Sequence, residues 1–142
     1  LVTGVQTCAL PIFSPGGSRW RVGSLPGGSQ LQDIAPDGTR VIFSRDGGSC
    51  QLRSVPTGRT NSLGSTRRCE ARFSRPNAGT VLVREGSQVT KRTLSGRQVR
   101  RVYTTGGGVS PHIENVVQTP HGTALAVRTG TGSSWSGSRT AR

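Results

Sequence analysis

The sequence predicts an all-β protein: a partial β-propeller of about two complete four-stranded antiparallel blades, with partial blades on either side. Three observations carry this. A turn-and-strand unit recurs at a period of roughly 40–45 residues, which is the content of one four-stranded blade. A second turn keeps step with the first. The chain is also rich in chain-reversing residues, with 21 glycines and 8 prolines among 142 residues, a balance that fits a turn-rich β protein better than a helical one.

In the recurring unit, Pro36-Asp37-Gly38-Thr39 precedes Val41-Ile42-Phe43, and Pro76-Asn77-Ala78-Gly79-Thr80 precedes Val81-Leu82-Val83. In the third copy, Pro120-His121-Gly122-Thr123 precedes Ala124-Leu125-Ala126-Val127. Proline pre-sets φ at the start of the turn, Asp or Asn bonds its own backbone, and Gly adopts positive φ without steric cost. Asp37, Gly38, Gly79 and Gly122 are therefore assigned as structural turn residues. The apolar run after each turn lacks alternation, so its strand is expected to be buried on both faces. The second landmark comprises Ser24-Leu25-Pro26-Gly27-Gly28, Ser54-Val55-Pro56-Thr57-Gly58 and Thr93-Leu94-Ser95-Gly96. Each reads as a strand running into a hairpin turn. The room left between the two landmarks holds two more strands, completing four per period.

With these residues in view, the chain resembles the Pro-Asp-Gly propeller repeats of TolB-like proteins over roughly residues 19–129. Phe73-Ser74 keeps the aromatic-Ser lead of that pattern, whereas Ile34-Ala35 departs from it. Asn77-Ala78 and His121 stand where the later turns would carry Asp.

Taken in order, residues 2–12 resemble the translation of a common sequencing-library adapter, so residues 1–12 are set aside from fold reasoning. The native N-terminus is then expected to lie outside this chain, and Cys8 leaves the cysteine count. Residues 13–32 read as a partial blade. In it Phe13 to Ser18 mimics a blade turn, and Trp20 to Leu25 and Ser29 to Gln32 serve as outer strands. Residues 33–69 form one blade with Asp46-Gly47-Gly48 as an internal hairpin turn. Residues 70–112 form the next, with Glu85-Gly86-Ser87 in the same role and Gly106-Gly107-Gly108 to Pro111 as a connection. Residues 113–129 begin a further blade, and residues 130–142, rich in Gly, Ser and Thr, are expected to be a flexible tail. Because propellers typically close with 4–8 blades, such an arc is expected to be poorly stable by itself.

The net charge is +13, from 19 basic and 6 acidic residues. Lys91 is the sole lysine, and the arginines are spread along the chain. This spread fits a GC-rich coding bias that enriches Gly, Ala, Pro and Arg together. No nucleic-acid motif or stacking aromatic set accompanies the charge, so nucleic acid is not the expected partner. Arg67-Arg68 and Arg97 with Arg100-Arg101 are the local clusters, read as solvated outer-strand residues. No window approaches the roughly 18 apolar residues of a membrane span.

Cys50 and Cys69 are placed so that a disulfide across the outer hairpin of a blade is geometrically feasible, as are two separate thiols. A bridge would suit an exported, periplasmic or extracellular protein. No Cys/His pair has metal-ligand spacing. His112 falls in the Gly-rich connection, and His121 stands in for a turn Asp. No G-x-S-x-G motif is present, the acidic residues are scattered, and no Lys-Ser/Thr follows Gly106-Gly107-Gly108 as a phosphate loop would require. No catalytic residue, metal or cofactor is therefore expected. The resemblance implies a non-enzymatic scaffold that binds a protein or peptide, as a fragment of a larger protein. Two alternatives are the substrate-gating propeller of a prolyl-oligopeptidase-like hydrolase and the extracytoplasmic sensor domain of a membrane protein.

Overall fold

A computed structural model describes residues 8–13, 19–64, 68–106, 109–130 and 132–137. The described residues form strands, turns and connections, with no helix. β1 (Cys8–Phe13) pairs with β2 (Arg19–Leu25). A four-stranded sheet follows in simple order: β3 (Ser29–Ile34), β4 (Arg40–Arg45), β5 (Cys50–Ser54) and β6 (Thr60–Ser62). The next repeats it with β7 (Ala71–Phe73), β8 (Thr80–Glu85), β9 (Gln88–Thr93) and β10 (Gln98–Thr104). β11 (His112–Thr119), β12 (Gly122–Thr129) and β13 (Gly132–Gly137) make a three-stranded sheet. Pairing is antiparallel throughout. The first strands of successive sheets contact one another, β3 with β7 and β7 with β11. That arrangement of consecutive sheets about a common hub is a partial β-propeller, and the all-β expectation holds.

The apolar triplets explain why the sheets stack. In β4, Val41 and Phe43 point to one side, where they cluster with Leu25, Ile34 and Val55. Ile42 points to the other, joining Leu52, Leu63, Phe73, Val81 and Val83 in the seam between the two four-stranded sheets. In β8 the same alternation sends Val81 and Val83 into that seam, while Leu82 joins Val89, Ile113, Val116, Leu125 and Val127 in the next. One strand thus serves two cores, as an apolar run without polar alternation requires.

Several boundaries differ from the sequence expectation. Ser29 to Gln32 is not an outer strand of a preceding blade. It belongs to β3, whose Ile34 pairs with Val41 across the Pro36-Asp37-Gly38 turn, because a hairpin turn binds both its strands into one sheet. The Pro26-Gly27-Gly28 turn consequently links two sheets rather than closing a hairpin. Gly132–Gly137, expected in the flexible tail, pairs along β12 from Thr129↔Gly132 to Ala124↔Gly137, since ladder hydrogen bonds are made by backbone whatever the side chains. Residues 1–7 and 14–18 of the first two expected segments lie outside the described residues. Cys8 to Ile12 of the adapter-like stretch lies in β1.

The structure joins Cys50 and Cys69, with Cα atoms 4.7 Å apart. The placement is not the outer hairpin. Cys69 lies in the connection to β7, so the bond ties the third strand of one sheet to the approach of the next. The Cys69 N–H donates to the Gly48 carbonyl at 3.1 Å and fixes the same junction.

Two stability measurements and a thiol count check this arrangement. Phe73, fully buried in the central seam, should cost about 3–5 kcal/mol when changed to Ala in a denaturant titration. Thiol counting in denaturant should find one reactive cysteine without reductant and three with it. The Cys50→Ser, Cys69→Ser double variant should lose about 3 kcal/mol, the chain-entropy value for a separation of 19 residues.

Candidate functional site

Antiparallel order sends alternate turns to opposite ends of the sheets. The β3–β4, β5–β6, β7–β8, β9–β10 and β11–β12 turns share one end. A hydrogen bond from Val55 N–H to the Thr39 carbonyl, at 2.8 Å, ties two of them together. The β4–β5 and β8–β9 turns share the other end with the sheet-to-sheet connections. There Thr105 N–H donates to Ser87 O at 2.9 Å, and Asp46 N–H to Gly28 O at 3.0 Å.

The first end carries the sequence-assigned turn residues. Gly38 N–H closes the first turn onto Ala35 O at 2.8 Å, with Gly38 at φ 73°. The Asp37 carboxylate accepts from Thr39 N–H at 2.9 Å and from the Thr39 hydroxyl at 2.7 Å. These bonds, the hydroxyl first, hold its pKa below the ordinary aspartate value of 3.8. In the second turn Asn77 plays the same part, accepting from Gly79 N–H at 3.2 Å. The left-handed residue there is Ala78, at φ 53°, and not Gly79. The extra residue in this turn moves the closing bond to Ala78 N–H and Ser74 O, at 3.1 Å. In the third turn the local acceptor is the Thr119 hydroxyl, which takes the His121 N–H at 3.2 Å and donates to Gly122 O at 2.8 Å. His121 thus enters that turn through its backbone rather than as a substitute for Asp. Pro36, Asp37, Pro56, Thr57, Pro76, Asn77, Pro120 and His121 are all exposed.

Acidic residues without an obvious role in the sequence act between sheets. Asp33 of β3 accepts from Phe73 N–H of β7 at 2.8 Å and pairs with Arg75 at 3.3 Å. Glu70 accepts from Ile113 N–H of β11, with His112 Nδ1 at 3.2 Å and Arg84 at 2.8 Å. His112 therefore begins β11 rather than lying in the loose connection. Each carboxylate reaches a partner about one repeat period downstream, and that spacing was the signal available in the sequence. Glu85 and Arg92 pair beside Gly64, where an added Cβ would meet both side chains at 3.1 Å. Farther out, Asn61 Nδ2 donates to Leu94 O at 3.0 Å, and Gly96 sits so close to Ser62 that a Cβ would lie 2.5 Å from its carbonyl oxygen.

The carboxylates described here are engaged in turns and seams. Among the described residues no three His, Cys, Asp or Glu side chains are grouped to hold a metal ion. No described helix is long and apolar enough to cross a membrane. What the arrangement offers is an end of exposed turns, each held by local hydrogen bonds.

The chain is similar in structure to TolB from Acinetobacter baumannii, with a TM-score of 0.53 at 16% identity. The match covers 92% of this chain and 40% of that one, so the chain spans well under half the length of its structural neighbour. No protein-family model and no curated protein matches it. The likeness establishes the propeller fold.

Five substitutions test the geometry. Asp33→Ala and Glu70→Ala should each cost about 2–3 kcal/mol by thermal or urea unfolding, because each strands a neighbouring strand's N–H and an arginine. Glu114→Ala should cost under about 1 kcal/mol, since Glu114 and Arg128 are each 47% exposed. Gly96→Ala, which combines a φ of 94° with the backbone clash, should cost more than about 1–2 kcal/mol. Asp37, with its pKa lowered on folding, stabilises the fold above pH 3.8, and that contribution disappears as pH falls through the lower folded value. Asp37→Asn should keep the turn and remove this part of the acid dependence in a pH series of unfolding curves.

Proposed function

We propose that the chain is a non-enzymatic, TolB-like propeller scaffold that binds a protein or peptide at its turn-bearing end. The supporting observation is the set of exposed turns that antiparallel order gathers there, each fixed by local hydrogen bonds and four of the five also by a proline. Turns already held in one conformation lose little entropy when a partner docks, which favours binding. The Cys50–Cys69 bond supports an oxidising compartment, periplasmic or extracellular.

A photo-crosslinking amino acid placed singly at Asp37, Asn77 or His121 tests the reading. Arg45, exposed at the opposite end, is the control position. The three turn positions should give a common adduct in extracts of the source cells, and Arg45 should give none. Adducts of equal yield from Arg45, or none from the turns, would remove the proposal.

A further inference from the structure

The chain holds two Asp-Gly pairs, Asp37-Gly38 and Asp46-Gly47, and the fold treats them differently. Such a pair is chemically reactive because glycine, with no Cβ, lets its amide nitrogen approach the carboxyl carbon of the preceding aspartate. The approach requires an unengaged N–H and an unengaged carboxyl. At Asp37-Gly38 both are engaged. Gly38 N–H donates to Ala35 O at 2.8 Å, and the Asp37 carboxylate accepts from the Thr39 N–H at 2.9 Å and from its hydroxyl at 2.7 Å. At Asp46-Gly47, in the β4–β5 turn, the bonds fall on neighbouring groups instead. Gly48 N–H closes the turn onto Arg45 O at 2.9 Å, and Asp46 N–H donates to Gly28 O at 3.0 Å. Among the described residues, neither Gly47 N–H nor the Asp46 carboxylate has a hydrogen-bond partner. Both residues are exposed, and a Cβ added at Gly47 would meet no atom within 4 Å. Asp46 is held at φ 52°, a left-handed conformation that costs a residue with a Cβ more than it costs glycine. The second pair is therefore open and unbonded where the first is bonded on both sides.

We propose that Asp46-Gly47 is a site of spontaneous isoaspartate formation, the one of the two pairs that the fold leaves reactive. The Gly47 nitrogen bonds to Asp46 Cγ, with the carboxyl in its acid form. The amide proton and the carboxyl hydroxyl leave together as water, and a succinimide ring closes. Water then adds back to one of the two ring carbonyls. Opening at Cγ restores aspartate, whereas opening at the main-chain carbonyl leaves the chain running through Cβ and Cγ. Nothing is oxidised or reduced, and water is the only co-reactant. The product lengthens the backbone between Asp46 and Gly47, within the turn that Gly48 N–H closes. It also frees the former main-chain carbonyl carbon as a carboxylate on an exposed turn, the acceptor class for an isoaspartyl carboxyl methyltransferase. The same turn carries the Asp46 N–H bond to Gly28 O, so the modification acts on the tie between the β4–β5 hairpin and the β2–β3 connection. The inference concerns the connection end and is independent of binding at the turn-bearing end.

The test is ageing of the full folded chain in warm, near-neutral buffer, followed by site-resolved peptide mapping. Mass spectrometry reads the succinimide as the loss of one water, and fragment ions together with enzymatic carboxyl methylation read isoaspartate. Asp46 should convert at least roughly tenfold faster than Asp37, since at Asp37-Gly38 two or more hydrogen bonds must open before the ring can close. In concentrated urea the two should convert at comparable rates, because both are plain Asp-Gly pairs once the fold is gone. Equal rates in the folded chain, or no conversion at Asp46, would overturn the proposal. A preference for Asp46 that persists undiminished in urea would also overturn it, since local sequence and not the fold would then set the rate.

Discussion

The fold depends on one constraint: each four-stranded sheet must bury both of its faces, so each is finished only by its neighbours. Val41 and Phe43 face one way along β4 and Ile42 the other, and β8 repeats the division with Val81, Val83 and Leu82. Both seams are closed beyond the apolar centre by the same device. At the hub a carboxylate from one sheet takes the backbone N–H of the next sheet's first strand, Asp33 for Phe73 and Glu70 for Ile113. Outside the core, close approach is possible only where the chain has no side chain, as at Gly64 and Gly96. Apolar burial supplies the bulk of the attraction, while these polar contacts fix how far one sheet slides over the other.

Much of this was legible in the residues, for a physical reason. Turn chemistry and two-faced burial are local, so Pro36-Asp37-Gly38 and Val41-Ile42-Phe43 announce a hairpin and a central strand by themselves. Asp46 and Gly47 both adopt positive φ, at 52° and 70°, as the central residues of a turn that Gly48 N–H closes onto Arg45 O. The misplacements came where local chemistry is ambiguous. Pro26-Gly27-Gly28 has the composition of a hairpin turn but joins different sheets. Gly132–Gly137 has the composition of a linker but completes a ladder. Ala78 holds the left-handed position that the neighbouring Gly79 advertised. The roles of Asp33 and Glu70 were hidden because each is set by a partner one period away, in another sheet.

The two ends of the sheets do different work. One end holds the connections, the covalent bond between Cys50 and Cys69, and the hydrogen bonds that pin each connection to a hairpin. The other end has its turns, each closed by local bonds, with Val55 N–H on Thr39 O and Asn61 on Leu94 O as ties to neighbouring segments. The turn-bearing end is then freer to vary in sequence, so long as each turn keeps its local acceptor. Such a division suits a scaffold, since loops can change without disturbing the core beneath them.

The covalent bond also decides how tension would run through the molecule. A pull along the backbone that reaches Cys50 passes through sulfur to Cys69 and straight on into β7, bypassing the nineteen-residue separation that contains β6. β6 and the rest of β5 lie outside that covalent path, and are held instead by ladder bonds, by the buried Leu63 and by Asn61 on Leu94 O.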